Sequence, residues 1–211
     1  MTEIRSGIRH GLALPHVYDF FHNLVGAYSW RKKVVNDFII ANVKDGGLIV
    51  DIGCGTAEVL SYLPSNVEYV GIDRNPLYIE SALSCYANRN AKFYCEELSP
   101  DFALKGRTAD VVLAFGLIHH LDDKMTANLF QNARKLLGMR GFLLTLDPVF
   151  TDTQSALARY IVSKDRGTEV RTVSAYENLA LQEFSSVQVH IDTSPLHIPY
   201  TGIIMKCQTC L

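Results

Sequence analysis

Short apolar runs alternate along this chain with stretches whose apolar positions recur every three or four residues. That alternation is how a chain of β-strands and crossover helices reads. Near the N-terminus, Val17, Phe20, Phe21 and Leu24 stand at helical spacing in a segment closed by Gly26. Trp30, Val34 and Phe38 then recur four apart, on one face of a second helix; Phe21 and Trp30 read as core. Leu48 to Asp51 is a first strand that runs into a glycine turn and a short helix stopped before Pro64. The second strand, VEYVGID, is followed by a helix with Asn75 as cap and Pro76 in its first turn. AKFYCEEL is a third strand that ends in acids, and ADVVLAFGLIHHLDD a fourth with an apolar body, which implies burial on both faces. A helix capped by Asp122 or Asp123 turns Leu129, Ala133, Leu136 and Leu137 inward and stops at Gly138. GFLLTLDPVF is a fifth strand, halted by Pro148. QSALARYIVSK reads as a helix broken by Asp165-Arg166-Gly167, SAYE as a capping-box start, and SSVQVHIDT and GIIMKCQ as closing strands.

The expected architecture is α/β: a Rossmann-like, seven-stranded, mainly parallel sheet with the last strand antiparallel and helices on both faces. It divides into an N-terminal helical cap (1–45), a cofactor-binding core (46–150), a lid (151–185) and C-terminal strands (186–211) in one domain. A length of 211 residues fits that organisation. With 48% hydrophobic and 20% charged residues, the composition is that of an ordinary globule. A net charge of −2 gives no broad reason to expect a nucleic acid or an anionic membrane as partner. No apolar stretch reaches signal-peptide or membrane-spanning character, and five scattered cysteines suit reduced thiols, so a cytoplasmic location is expected. Cys207 and Cys210 form a single CxxC, which lacks the second pair a closed zinc site needs, and no metal is expected.

The candidate chemistry starts at VDIGCGTAEVL. Gly53 and Gly55 follow a buried strand, where backbone N–H groups can face a ligand. Asp73 ends the next strand eighteen residues beyond Gly55, where an acid accepts both hydroxyls of a ribose. Glu96 and Glu97 end the third strand, where one of them can meet an adenine edge. A dinucleotide site wants a third glycine where Glu58 stands, and a glutamate there crowds and repels a pyrophosphate. Asp51, just before the turn, suits a cationic amine better than a phosphate. S-adenosylmethionine carries such an amine and a sulfonium.

VDIGCGTAEVL resembles the first motif of the class I S-adenosylmethionine-dependent methyltransferases, acid-x-Gly-x-Gly-x-Gly, with Ala57 where the third glycine usually stands. YVGIDRNPLYIESA is similar to their second motif and DVVLAFGLIHHLDD to the fourth-strand motif of their small-molecule branch. The resemblance implies that Asp51 anchors the methionine part while Gly53 and Gly55 give backbone contact. It implies that Asp73 holds the ribose, with Arg74 beside the adenine, and that Phe115 and Gly116 line the pocket by the sulfonium. The product would be S-adenosylhomocysteine.

For the acceptor, His119 and His120 sit just past the fourth strand, where one can take a proton while the other orients the loop. Gly116-Leu117-Ile118-His119 stands where amine methylation of DNA or protein glutamine uses an Asn/Asp-Pro-Pro-Tyr/Phe motif, which favours oxygen over nitrogen. Tyr18, Tyr28, Asp147, Tyr160, Arg166 and Arg171 are candidate acceptor contacts, with Asp165 and Tyr176 in the same region. Asp165-Arg166-Gly167 with Arg171 is either a capped turn or a polar clamp for an anionic or hydroxylated acceptor. The expected activity is methyl transfer to a small molecule, a sugar or secondary metabolite, by a monomer or homodimer. Two alternatives remain at this level: an NAD(P)-dependent oxidoreductase and a non-catalytic methyltransferase-like partner.

Overall fold

The computed structural model describes residues 26–165 and 167–209. The helix expected around Val17, Phe20, Phe21 and Leu24 lies outside them, as do Tyr18, Arg166 and Cys210. Helix α1 (Ala27–Val34) passes into a π-helical turn, Val35–Ile40. Strand β1 (Leu48–Ile52), a 3-10 turn (Glu58–Tyr62), β2 (Glu68–Ile72), α2 (Pro76–Cys85), β3 (Ala91–Tyr94) and β4 (Ala109–Phe115) follow. Then come a 3-10 turn at Ile118–His120, α3 (Asp123–Leu136), β5 (Leu137–Phe150) and α4 (Ala156–Ser163). The chain closes with β6 (Arg171–Thr172), α5 (Val173–Ala180), β7 (Ser186–Asp192) and β8 (Gly202–Gln208).

The sheet runs β3-β2-β1-β4-β5-β8-β7, with β6 paired to the end of β5. Neighbours from β3 to β5 are parallel, and β8 is antiparallel to both β5 and β7. Strand alternation separates two cores. Val50, Ile52, Val112, Ala114 and Leu143 face α3 and α5, which contribute Phe130, Ala133, Tyr176 and Leu179. Ile49, Val111, Leu113, Phe115 and Leu144 face the opposite layer, where α1 contributes Trp30 and Val34 and the first 3-10 turn Val59 and Leu60. A parallel sheet covered on both faces needs such near-continuous apolar strands.

Several boundaries differ from the sequence pattern for local reasons. The Asn75 side chain caps α2 by accepting from Leu77 N–H, and Asp122 caps α3 by accepting from Met125 N–H. Helix α3 ends at Leu136 and passes straight into β5, so Leu137 and Gly138 belong to the strand. Pro148 does not halt β5; it pairs with Gly202 inside the strand. Val149 donates to Thr201 O on the β8 side, so the Pro148 nitrogen faces the β4 side. Strand β4 has already ended there, at the Phe115–Leu146 pair, so the missing N–H leaves no ladder bond unmade. Thr172, rather than Ser174, caps α5. Strand β3 ends at Tyr94, which leaves Glu96 and Glu97 in the following loop. The added β6 gives eight strands where seven were expected.

Candidate active site

The parallel strands deliver their C-terminal ends to one edge, and the glycine turn sits there. Gly53 and Cys54 donate to Ile72 O at 2.7 and 3.1 Å, which staples the turn to the end of β2. Asp73 completes the staple, since its carboxylate accepts Gly55 N–H at 2.9 Å and Asn75 N–H at 2.8 Å. Gly53 and Gly55 have φ of 72° and 56°, a left-handed conformation that glycine adopts without Cβ strain. A Cβ on Gly55 would meet nothing within 4 Å, so the turn faces open space. Ala57 occupies the same left-handed region at φ 58°, at a cost of about 1–2 kcal/mol for a residue with a side chain.

Behind the turn lies Asp51, 2% exposed, whose carboxylate accepts the Tyr69 hydroxyl at 2.6 Å. Burial lifts its pKa to about 6; the Tyr69 bond and the Arg31 charge hold it down, and Asp73 pushes it up. Arg31 of α1 forms an ion pair with Glu58 at 3.5 Å, both side chains largely buried. Asp51, Gly53, Gly55, Phe115, Arg31 and Glu58 line a cavity of about 30 Å³. Sequence reading missed Arg31, because Arg31-Lys32-Lys33 looks like a solvated basic run.

After β2 and β3, Arg74 and Glu97 form an exposed ion pair at 3.6 Å, and Glu96 is exposed. After β4, Gly116 follows Phe115 at φ 63° and donates to Leu146 O at 2.6 Å.

The first histidine of the pair after β4 is enclosed. His119 Nδ1 lies 2.6 Å from Asp147 Oδ1 and Nε2 lies 3.0 Å from Asp165 Oδ1. Burial opposes its charge, but the two carboxylates outweigh that and raise its pKa to about 9. His119 is therefore an imidazolium at neutral pH, with both nitrogens engaged and no lone pair with which to accept a proton. Tyr200 donates to the other oxygen of Asp165 at 3.0 Å, and Glu169 N–H donates to His119 O at 3.0 Å. The cluster thus ties the segment after β5 to the end of β4. His120 is half-buried, with its ring 4.1 Å from that of His119.

Arg171 spends its guanidinium on structure. It donates to Ile118 O, Leu121 O and Glu169 O and pairs with Asp123 at 2.8 Å, and it is 8% exposed. That engagement sets it in the scaffold beneath the histidine turn, away from an acceptor clamp. Tyr160 is exposed on α4 with Lys164 over its ring, and Tyr28 is half-buried on α1. Asp147 is held by His119 inside the core edge. Trp30 is core, edge-on to Tyr200 at 6.4 Å.

On the same edge, the loop after β5 and the loop between β7 and β8 enclose a cleft of about 470 Å³. Thr153, Gln154, Ser155, Thr193, Ser194 and His197 are among its walls. Among the described residues, no cluster of three or more His, Cys, Asp or Glu is placed to hold a metal, and no helix is long and apolar enough to cross a membrane.

A family described as "Methyltransferase domain" matches residues 50–143, just under half of the chain. No curated protein sequence matches it. Among solved structures, it is similar to a SAM-dependent methyltransferase from Methanosarcina mazei, with a TM-score of 0.63 and 15% identity over 82% of this chain and 97% of that one. It is similar to the mitomycin 7-O-methyltransferase MmcR, with a TM-score of 0.63 and 18% identity over 87% of this chain and 54% of that one. Human N-acetylserotonin methyltransferase, solved in complex with SAM, gives a TM-score of 0.64 and 14% identity over 85% of this chain and 51% of that one. The chain spans about half the length of the last two.

Proposed function

We propose that this chain is a class I S-adenosylmethionine-dependent methyltransferase, a reading supported by the methyltransferase-domain match over residues 50–143, and that it methylates a small hydroxylated molecule at oxygen. The site residues fit the cofactor. A zwitterionic amino-acid tail needs an acid for its ammonium, and Asp51 is mostly ionised at neutral pH. The left-handed glycine turn with open space at Gly55 admits a close approach of backbone to ligand. Asp73 already positions the turn through two backbone N–H groups, and a carboxylate has further lone pairs for ribose hydroxyls. Arg74 with Glu96 or Glu97 would flank the adenine, and Phe115 with Gly116 the reacting end.

When bound, S-adenosylmethionine supplies an electrophilic methyl group on a sulfonium. The protein's part is then alignment and exclusion of water. His119, locked between Asp147 and Asp165, orients the turn, and the half-buried His120 beside it is the proposed acceptor of a hydroxyl proton.

The observation that carries the acceptor class is the cleft beside β8. Its volume is in the range of small-molecule sites, and its walls combine hydroxyls, an amide and one imidazole with the apolar Ala158, Leu196, Ile198 and Pro199, without a carboxylate, lysine or arginine. Such walls hydrogen-bond neutral hydroxyl groups and place no fixed positive charge against an anion. The comparison with an O-methyltransferase points the same way. Free thiols at Cys54, Cys85, Cys95 and Cys207 suit the reducing cytoplasm.

The test is release of S-adenosylhomocysteine across a panel of sugars, phenols, carboxylic acids and amines, with products identified by mass. Turnover with neutral hydroxyl acceptors, and not with acids or amines, is expected. Turnover confined to amines overturns the oxygen assignment. An unchanged rate and pH profile in His120→Gln removes His120 as base.

A further inference from the structure

The cleft beside β8 and the glycine cavity share no lining residue, and the strand order sets how far apart they stand. Phe115, at the end of β4, belongs to the cavity, and Thr201, just before β8, belongs to the cleft. Strand β5 runs between those two strands, so two strand spacings, about 10 Å, separate the residues across the sheet. Thr201 is held firmly. Its carbonyl accepts Val149 N–H at 3.2 Å, and the Val149 carbonyl in turn accepts the Gln154 amide at 3.4 Å. Gln154 also accepts Thr151 N–H at 3.1 Å, so both ends of its amide are fixed to backbone. Thr201 is 1% exposed, and its hydroxyl has no hydrogen-bond partner among the described residues. Its near neighbours in the cleft wall, Leu196, Ile198 and Pro199, are apolar and bring no side-chain group to pair with it. Buried hydroxyls are nearly always paired, and valine would fill the same space without the desolvation cost. A threonine here calls for a partner from outside the fold.

We propose that the acceptor is an elongated molecule with two hydrogen-bonding groups on an otherwise apolar frame. The hydroxyl to be methylated lies beside Phe115 and Gly116, and a second hydroxyl or carbonyl, roughly 10 Å away across the end of β5, pairs with Thr201. The inference rests on the acceptor reading of the cleft and narrows it. A molecule of one ring reaches one end or the other, and gains the Thr201 bond only by leaving the methyl donor. A threonine hydroxyl donates one bond and accepts others, which suits a neutral hydroxyl or carbonyl. Its branched side chain is stiff about χ1, so the group is set in place before the ligand arrives. The apolar walls keep water from the bond, which strengthens it, and they match a frame of rings or aliphatic carbon. The remote bond then holds the reacting hydroxyl in line with the methyl group.

Three neutral phenols of rising reach test this on the full chain: phenol, para-hydroxybiphenyl and para,para′-dihydroxybiphenyl, whose oxygens stand at opposite ends of two rings. Calorimetry with saturating S-adenosylhomocysteine measures their binding, and methyl transfer from S-adenosylmethionine measures turnover. The wild type should bind the dihydroxy compound roughly tenfold or more tighter than para-hydroxybiphenyl, and phenol most weakly. Thr201→Val should erase the difference between the two biphenyls, and Thr201→Ser should keep part of it. Thr201→Val should also leave the thermal midpoint no lower than that of the wild type, since it breaks no bond within the fold. A lowered midpoint means a hydroxyl already paired inside the protein and overturns the proposal. Equal affinity of the wild type for the two biphenyls, binding of none of the three, or a preference that survives Thr201→Val overturns it as well. The expected order of binding without methyl transfer to any of them leaves the two-ended site standing and overturns the oxygen-acceptor reading instead.

Discussion

Asp51 is a carboxylate that the fold buries beside a single phenol, and its position sets a pH dependence. Its pKa of about 6 lies well above the usual carboxylate range because burial outweighs the Tyr69 bond. Below pH 6 the group is protonated and offers no charge to an ammonium, so cofactor affinity should fall by up to tenfold per pH unit as the pH drops through that value. Calorimetry at several pH values checks this, and Asp51→Asn should flatten the dependence. Asp73 is a second residue-scale case. Its two oxygens hold Gly55 and Asn75 N–H groups, so Asp73→Ala leaves two donors unpaired. It should cost about 2 kcal/mol in chemical denaturation and weaken S-adenosylhomocysteine binding at least roughly tenfold. Normal affinity in that variant would remove Asp73 from the ribose site. The presence of both acids was legible in the sequence, since an acid before and an acid one strand after a glycine turn form a linear pattern. That Asp73 braces the turn itself was not legible, because the bond crosses from β2 to a loop that follows β1.

At the scale of elements, α1 meets β8 through Trp30. The Trp30 ring sits over Gly202, where a Cβ would stand 2.0 Å from Cη2 and 2.5 Å from Cζ2. Gly202→Ala should therefore push α1 off the sheet, at a cost of about 2–3 kcal/mol in denaturant melts. Combining it with Trp30→Leu should recover part of that loss, a positive coupling that separate sites would not show. Because α1 also carries Arg31, the single Gly202→Ala variant should weaken cofactor binding as well. Helix periodicity shows that Trp30 faces inward. It does not show that its partner is a glycine 172 residues later, at the start of the antiparallel strand.

For the whole molecule, the His119 cluster joins four parts of the chain: the turn after β4, the C-terminal part of β5, the segment after α4 and the approach to β8. His119 has a folded pKa of about 9, raised above its ordinary value of 6.5. The folded state therefore binds more protons than the unfolded chain between those values, and stability falls as pH rises through the window. The cluster's contribution is complete below about 6.5. At the acid end, Asp165 is held well below its usual range: burial opposes this, but the His119 hydrogen bond and charge prevail. Its contribution is present above the ordinary carboxylate pKa and is lost as pH falls. Asp147 is pushed up by burial against its His119 bond, and Asp51 is likewise raised, so both favour the proton and work against folding once ionised. Thermal melts should show a midpoint that declines from pH 6.5 to 9, with His119→Gln removing most of that slope. A flat wild-type profile would mean that the imidazolium is not held as the geometry indicates.

The sequence by itself determined the order of elements, the strand-turn-strand acids and the apolar runs that force a two-faced parallel sheet. These are local patterns, because strand periodicity, capping residues and left-handed glycines act on near neighbours. Strand ends at proline were misjudged for the same reason: Pro148 is tolerated only because β4 has already stopped beside it. Only the tertiary structure decided which charged groups meet. It set Arg31 into the wall of the cavity against Glu58, turned Arg171 into a brace under the histidine turn, and enclosed His119 between Asp147 and Asp165. Each of those pairings joins residues from different elements, and a charge's role depends on what it meets in space and on how much water is left beside it.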